Sequence, residues 1–450
     1  MRRVIILLFL LVGMRLLIPL GSGPGTPHPL LAFGFLILAA YSVGELAKQF
    51  RIPKIVGYLV AGLVFGPSAL AIVSSDASAE LAPVSNLAVA LIAFLAGAEL
   101  RWSEVREHWR KILRILSSEM SLAFAGLLML LVLAHRFVPF LQDTSWGQRF
   151  ALAALFASIG VVHSPAVTLA LLKETGARGR VARTTLEVVL VADVAVIVLF
   201  SGVLAWARAV APVGGSVPPQ SVGLLAWELL GSVLVGALLG GVISLYLRLV
   251  LRELVMFGIV VAFFGAEIAR LAHVETLLTL LTAGFMTENV SRRGEGEQLR
   301  HAMERSSAPV FVIFFALAGA KIAVGELVQL WYIVIPIVLV RGLGIWYGSL
   351  LGARWARASE DEARYCWMGL ISQAGVAIGL ASVVAQAYPE RGVLMRDVLL
   401  AVIAINETVG PILFRRALAS SGELASPDPD VAPAHGVQPA AAVPARMGKS

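Results

Sequence analysis

Long runs of apolar residues follow one another along the chain, and short polar segments separate them. Most runs have about 17 to 25 residues, the length that a helix needs to cross the hydrocarbon layer of a membrane. This pattern predicts an all-α, polytopic membrane protein with about 13–14 transmembrane helices. The predicted spans cover residues 4–20, 29–47, 55–73, 84–100, 112–137, 149–172, 185–209, 223–247, 254–271, 274–289, 306–325, 328–352, 365–387 and 395–416.

The positions of the basic residues give these spans a direction. Lys and Arg concentrate in alternate loops, among them 101–114, 173–183 and 354–364, whereas the loops between them hold few. Cytoplasmic loops of membrane proteins carry such an excess of Lys and Arg, so fourteen spans would place both termini in the cytoplasm. The sequence therefore predicts a multi-pass protein of a bacterial-type inner (plasma) membrane with a cytoplasmic C-terminus.

The first predicted span has a second interpretation. Two arginines after Met1 and an apolar stretch to Leu20 are also typical of a secretory signal peptide. Arg15 interrupts the stretch and no small-x-small cleavage site follows closely, which favours an uncleaved, anchor-like span within residues 1–28. Cleavage would leave thirteen spans and an external N-terminus.

Composition narrows the classes of function. Of the 450 residues, 58% are hydrophobic and 14% are charged, against roughly a quarter charged in a soluble domain. The net charge of +7 lies mostly in the loops, so we expect no nucleic-acid partner. The single cysteine, Cys366, excludes an intramolecular disulfide. The sequence shows no nucleophile motif, phosphate loop or metal-ligand spacing, so we expect no enzyme, no cofactor and no metal beyond a transported cation.

An internal repeat is visible at an offset of 222 residues. Residues 95–100 read LAGAEL and residues 317–322 read LAGAKI, and the same offset relates Leu59–Gly62 to Leu281–Gly284. Matching spans cross the membrane in opposite directions, which makes this an inverted-topology repeat of the kind found in secondary transporters.

The repeat divides the chain into domains. The exchanger-like transmembrane domain covers residues 29–417. Its parts are repeat 1 at about 29–209, a linker helix at 223–247 and repeat 2 at about 254–417. Residues 418–450 are rich in Ala, Pro, Ser and Gly, and we expect a disordered cytoplasmic tail there.

Asp193 is the clearest candidate for chemistry. It lies near the middle of the span 185–209, in the apolar sequence VADVAV. A charged group at that depth is costly and needs a reason. A proton and a bound cation can each neutralise the carboxylate, so the two would compete for it. The alternative is a carboxyl group buried against a structural partner.

Arg341, in the span 328–352, is the second candidate. Arginine stays charged when buried, so an acidic partner or a water-filled cavity should face it. We expect Asp193 to be that partner, with Glu407 or Glu187 as further candidates. The pair would serve either the transport mechanism or a structural bridge between the repeats.

Two predicted spans are interrupted at corresponding places in the repeats. Gly, Ser and Pro residues break the span 149–172 at 160–165 and the span 365–387 at 371–375. Symmetric breaks indicate two discontinuous crossing helices at a transport site, although each alone could be an ordinary kink. His163 is either a proton relay or a packed histidine. The other predicted site residues are Ser164, Thr168, Ser372, Gln373, Asn406 and Glu407.

These residues resemble the monovalent cation–proton antiporter family, which contains the Kef-type potassium efflux systems and the NapA-type sodium–proton antiporters. The resemblance covers about residues 30–417. It implies an ion-binding acid at Asp193, an embedded base at Arg341, a homodimer, and a core domain that moves against a dimerisation domain. The similar segments are Ile52–Gly62 with Gly66 and Pro67, Phe314–Gly319, Gly369–Gln373, and Val409–Pro411 before Arg415 and Arg416.

The sequence departs from that family in two respects. Electrogenic members carry two adjacent acids and a lysine, whereas here Ala192 precedes Asp193 and the base is Arg341. This favours electroneutral, one-for-one exchange. The sequence also lacks the C-terminal nucleotide-binding domain of the Kef systems, which makes ligand-gated efflux the weaker expectation.

The predicted function is therefore a secondary active transporter that exchanges Na⁺ or K⁺ for H⁺ by alternating access in the lipid bilayer. One alternative is a Kef-like potassium efflux channel or transporter. Another is a sodium-coupled symporter for an organic solute, which would need a larger polar pocket than the apolar surroundings of Asp193 suggest.

Overall fold

The computed structural model describes residue 12 and residues 29–74, 80–210, 222–250, 252–291, 294–322, 324–373 and 375–424. The first predicted span and most of the predicted tail lie outside these residues.

The described part of the chain is helical and contains no strand, which confirms the all-α prediction. Two short 3-10 turns, His135–Phe137 and Pro139–Leu141, follow the fourth helix. The helices are α1 Pro29–Gln49, α2 Lys54–Phe65, α3 Ala82–Ala98, α4 Trp102–Leu133, α5 Trp146–Gly160, α6 Pro165–Thr175, α7 Arg180–Val210, α8 Val222–Leu249, α9 Leu254–Leu271, α10 Thr276–Val290, α11 Glu295–Ala320, α12 Val324–Trp355, α13 Glu360–Gly369, α14 Gly375–Ala387 and α15 Pro389–Ser420.

Every predicted span from 29–47 onward contains helix, and the protein is a multi-pass membrane protein. Among the described residues, 8 helical segments are long and apolar enough to cross a membrane, or up to 9 if a bent pair in α11 is one span. The helices α2, α3 and α10 have 12, 17 and 15 residues. At 1.5 Å per residue they are shorter than the hydrocarbon layer of about 30 Å. The figure of about 13–14 crossings therefore stays a prediction.

The segments that revealed the repeat are the places where its two halves pack. A Cβ atom on Gly62 of α2 would lie 2.0 Å from the Ala316 oxygen, and one on Gly319 of α11 would lie 2.1 Å from the Leu59 oxygen. Only glycine lets these two backbones approach so closely.

The other pair of matched segments packs in the same way. A Cβ atom on Gly97 of α3 would lie 1.9 Å from the Leu281 oxygen, and one on Gly284 of α10 would lie 2.0 Å from the Phe94 oxygen. In both pairs, a short glycine-containing helix of repeat 1 packs against a glycine-containing helix of repeat 2. This reciprocal pairing supports the repeat that the sequence predicts.

The buried apolar residues form two cores. One core lies mainly in α1–α3 and α8–α11, which we call the scaffold bundle. The other lies mainly in α4, α5, α7, α12, α14 and α15, which with α6 and α13 we call the site bundle. Within the site bundle α4 lies along α12, where Gly344, Gly348 and Gly352 contact the α4 backbone. This spacing of four residues lets two long helices pack closely.

Candidate functional site

The two interrupted spans form two pairs of half-helices. α5 ends at Gly160 and α6 begins at Pro165, while α13 ends at Gly369 and α14 begins at Gly375. The carbonyl groups that end α5 and α13 have no partner within their own helix. They lie inside the protein, away from bulk water, so other groups must satisfy them.

Arg341 satisfies three of these carbonyl groups. Its side chain is fully buried, and it donates to the oxygens of Gly160 at 2.6 Å, Ile371 at 2.7 Å and Val162 at 2.8 Å. The two half-helix ends carry about −0.5 charge each, which together balance one guanidinium. The expectation that Arg341 pairs with a buried acid is therefore wrong, because backbone dipoles take that place.

The acids that we expected beside Arg341 have other surroundings. Glu187 has His108 as its ion-pair partner, with 3.8 Å between Oε1 and Nδ1. Asp193 and Glu407 are described below.

Two hydrogen-bonded side-chain amides connect α15 to the end of α5. The Gln373 side chain donates to the oxygens of Gly160 at 3.2 Å and Ile159 at 3.4 Å, and it accepts a hydrogen bond of 2.8 Å from Asn406. The side chains of Gln373 and Asn406 are both buried. The structure thus brings the predicted residues Arg341, Gln373 and Asn406 together around one carbonyl group.

The predicted hydroxyl residues line the breaks. The Ser164 side chain caps α6 by accepting from the Val167 amide at 3.3 Å, and Thr168 donates to the Ser164 oxygen at 3.1 Å. Ser372 lies against α15, where a Cβ atom on Gly410 would be 2.1 Å from the serine Oγ. The contacts of Ser164 and Thr168 show hydroxyl groups covering backbone groups.

Asp193 and Glu407 are the buried carboxyl groups that this network leaves out. Asp193 on α7 is 2% exposed, and neither of its oxygens has a hydrogen-bond partner among the described residues. Glu407 on α15 is 3% exposed, and its Oε1 has no such partner within the same part of the chain. A buried carboxylate without a partner is strongly destabilising, so each group needs a proton or a cation.

The helices that carry these two acids pack against the interrupted spans. α7 packs against α6 and α13, and α15 packs against α6, α13 and α14. The described residues contain no group of three or more His, Cys, Asp or Glu side chains that could hold a metal ion.

Sequence reasoning missed one buried acid, Glu119 in α4. Its side chain is fully buried, and Oε1 lies 2.9 Å from Nε2 of His163. The other ring nitrogen of His163, Nδ1, lies 2.6 Å from the Leu370 oxygen. The signal was available, since Glu119 is a charged residue inside the predicted span 112–137, where any charge needs a reason. The structure shows His163 as a hydrogen-bonded, buried histidine.

Glu362 connects three helices at one end of the site bundle. Glu362 accepts hydrogen bonds from Lys111 of α4 at 2.8 Å and Thr184 of α7 at 2.6 Å, and it completes a capping box with Ser359. Burial acts to raise the pKa of Glu362, but these donors outweigh it and lower the pKa to about 2. The carboxylate therefore joins α4, α7 and α13.

This chain is similar to known proteins both in sequence and in fold. The family model described as "Sodium/hydrogen exchanger, transmembrane" matches residues 33–418. A structure of the sodium proton antiporter MjNhaP1 from Methanocaldococcus jannaschii at pH 8 is 17% identical, covers 88% of this chain and 97% of that chain, and gives a TM-score of 0.63. A second, electron-microscopy structure of that antiporter is 17% identical, covers 89% and 100% of the two chains, and gives a TM-score of 0.64. These structures share the fold of this chain.

Proposed function

The chain belongs to the sodium/hydrogen exchanger family, so it exchanges a cation for protons across a membrane, and we propose that Asp193 is the group for which the two compete. The transported cation in this proposal is monovalent, Na⁺ or K⁺. The protein works by alternating access: it switches between two states, and each state opens Asp193 to one side of the membrane.

One observation carries this proposal: the two Asp193 oxygens are buried and have no hydrogen-bond partner among the described residues. An ionised carboxylate there needs a positive charge beside it. Arg341 does not supply that charge, because its donors are directed to three carbonyl oxygens. A proton or a bound cation must therefore neutralise Asp193, and binding of one excludes the other.

The other predicted site residues act around this acid. Arg341, Gln373 and Asn406 fix the half-helix ends, while Ser164, Thr168 and Ser372 cover the exposed backbone groups. Arg341 stays charged in both halves of the cycle, so it adds no transported charge. Glu407, buried on the repeat-related helix α15, is a second carboxyl group beside the same breaks.

The two bundles suggest which parts move. Asp193 and both interrupted spans lie in the site bundle, so we propose that this bundle moves against the scaffold bundle. Along with this movement we propose a homodimer, a bacterial-type inner membrane and a cytoplasmic C-terminus. The neighbours of Asp193 in the chain are apolar, which favours a small ion over an organic solute.

The test measures cation–proton exchange in everted vesicles. The signal is the recovery of the fluorescence of a pH-dependent dye after Na⁺ or K⁺ is added. Asp193→Asn keeps the size of the side chain but cannot ionise, so the variant should reach the membrane and exchange neither cation. Glu187→Gln is the matched control on the same helix and should retain exchange. Wild-type exchange by the Asp193→Asn protein would remove the proposal.

A further inference from the structure

Glu119 and His163 are buried beside the helix breaks, and their hydrogen bonds fix how many protons they hold. The carbonyl oxygen of Leu370 cannot donate, so the hydrogen bond of 2.6 Å to it requires a proton on Nδ1 of His163. The contact of 2.9 Å between Nε2 and Glu119 Oε1 requires one further proton between these two atoms. Without that proton, a carboxylate oxygen would face a nitrogen lone pair.

We propose that Glu119 and His163 form a second proton-binding site, which holds one proton between them and does not transport it. The proton lies either on the ring nitrogen or on the carboxyl oxygen. The pair is an imidazolium with a carboxylate in the first case, and a neutral ring with a carboxylic acid in the second. Its net charge is zero in both.

The position of this pair explains what the proton does. Glu119 belongs to α4, His163 lies in the break between α5 and α6, and Leu370 directly follows α13. One proton therefore joins a continuous helix to both interrupted spans. The pair holds in place the same breaks at which Arg341 donates hydrogen bonds to three carbonyl oxygens, so it helps to position both interrupted spans.

The neighbouring charges favour retention of the proton. Within the predicted spans, the charged or titratable groups on described elements packed against the pair are Arg341 on α12, Asp193 and Glu187 on α7, Cys366 on α13 and Glu407 on α15. Arg341 is already balanced by two half-helix ends. Loss of the shared proton would leave an uncompensated negative charge in the protein interior, which is strongly unfavourable.

A small cavity of about 30 Å³ lies beside the pair and between the bundles, where His163 and Ser164 face Ile92 and Leu281. Most of its lining side chains are apolar, and both ring nitrogens of His163 already have partners. These surroundings give little stabilisation to an uncompensated charge, so they favour retention of the shared proton.

Proton counting turns this proposal into a measurement. Above about pH 7 an unfolded chain holds a neutral histidine and an ionised glutamate, and no proton lies between them. The folded protein then holds one proton more than the unfolded chain. The pair's contribution to stability is therefore full between about pH 4.3 and 6.5, where an unfolded histidine also carries that proton, and it falls as the pH rises further. The pair's contribution to the folding equilibrium constant then falls about tenfold per pH unit until the proton leaves.

The experiment compares the wild-type protein with Glu119→Gln by unfolding in mixed detergent micelles at pH 7, 8 and 9. The glutamine amide can donate to a neutral His163 ring, so the variant keeps the hydrogen bond without the extra proton. The ratio of the two unfolding constants should change by about tenfold per pH unit. Glu107→Gln, an exposed position on the same helix, is the matched control and should follow the wild type at every pH.

Two results would overturn the proposal. Parallel pH profiles for the wild type and Glu119→Gln would show that no extra proton is held. If Glu119→Gln does not fold, the double variant Glu119→Gln, His163→Gln gives the same test, because it has no titratable group at the pair. A change in the number of protons moved per cation in Glu119→Gln proteoliposomes would show that the proton is transported. The unfolding profiles are independent of transport, so they stand even if Asp193→Asn retains exchange.

Discussion

Arg341→Lys, combined with Asp193→Asn, tests whether the half-helix ends or the buried acid balance the guanidinium. Lysine keeps the positive charge but replaces a planar fork by a single ammonium group. It cannot reach three carbonyl oxygens that belong to two different breaks. About two charged hydrogen bonds to buried oxygens are lost, each contributing about 1.5 kcal/mol or more. The free energy of unfolding should therefore fall by about 3 kcal/mol.

The double-mutant cycle separates the two interpretations. If Arg341 binds only the carbonyl groups, the effects of Arg341→Lys and Asp193→Asn on the free energy of unfolding should add within about 0.5 kcal/mol. If the two side chains form an ion pair, they should instead show a coupling energy above about 1 kcal/mol. All four proteins are unfolded by sodium dodecyl sulphate in detergent micelles at one pH.

A matched control is available on the same helix. Arg354 lies exposed at the end of α12, so Arg354→Lys should change the free energy of unfolding by less than about 0.5 kcal/mol. A strong coupling between Asp193 and Arg341 would refute our account of the charge balance. If Arg341→Lys lowers the free energy of unfolding no more than Arg354→Lys does, the role of the three hydrogen bonds is refuted.

Further predictions concern stability, packing, topology and stoichiometry. The pKa of Glu362 is lowered to about 2, so its contribution to stability is full above about pH 4.3 and is lost as the pH falls towards 2. That contribution is on the order of 3 kcal/mol at pH 7. Lys111→Met should remove part of it, because Thr184 and Ser359 still donate to Glu362, and should make the acid limb of the unfolding curve less steep. Gly97→Val should disrupt the contact between α3 and α10 and lower the yield of folded protein in size-exclusion chromatography, unlike Gly202→Val, where a Cβ atom meets nothing within 4 Å. Cysteines placed at 101–114 should resist a membrane-impermeant thiol reagent added from the periplasmic side. Exchange of Na⁺ in proteoliposomes should not respond to a potassium–valinomycin potential, and acceleration by one sign of potential would contradict one-for-one exchange.

The helices of this fold could be predicted because lipid leaves the backbone few alternatives. Apolar runs of sufficient length mark the helices well, but they do not show where a helix stops inside the apolar region. The predicted span 55–73 illustrates this, because α2 ends at Phe65 before Gly66 and Pro67. A proline cannot donate to the helix, so the apolar residues after it belong to a turn.

The candidate site could be predicted in part, and the missing part has a physical cause. Gly, Ser and Pro at corresponding places predicted both breaks, and isolated charges marked Asp193 and Arg341. The predicted acidic partner of Arg341 was wrong because a sequence shows charged side chains but not the partial charges at helix ends. Glu119 was missed although it lies within a predicted span, and only the fold shows that it meets His163.

The buried charges together indicate which groups can change their protonation during transport. Arg341 is balanced by two half-helix ends, and in our proposal the pair of Glu119 and His163 is balanced by its own proton. Neither can change charge without leaving an uncompensated charge in the interior. Glu187 lies beside His108, and Glu362 is paired with Lys111. Asp193 and Glu407 remain, each buried with at least one oxygen that has no hydrogen-bond partner among the described residues. If Glu407 keeps its proton throughout, Asp193 alone alternates between a proton and a cation, and no net charge crosses the membrane. If Glu407 also releases its proton, two protons move for each monovalent cation, and the exchange becomes sensitive to membrane potential.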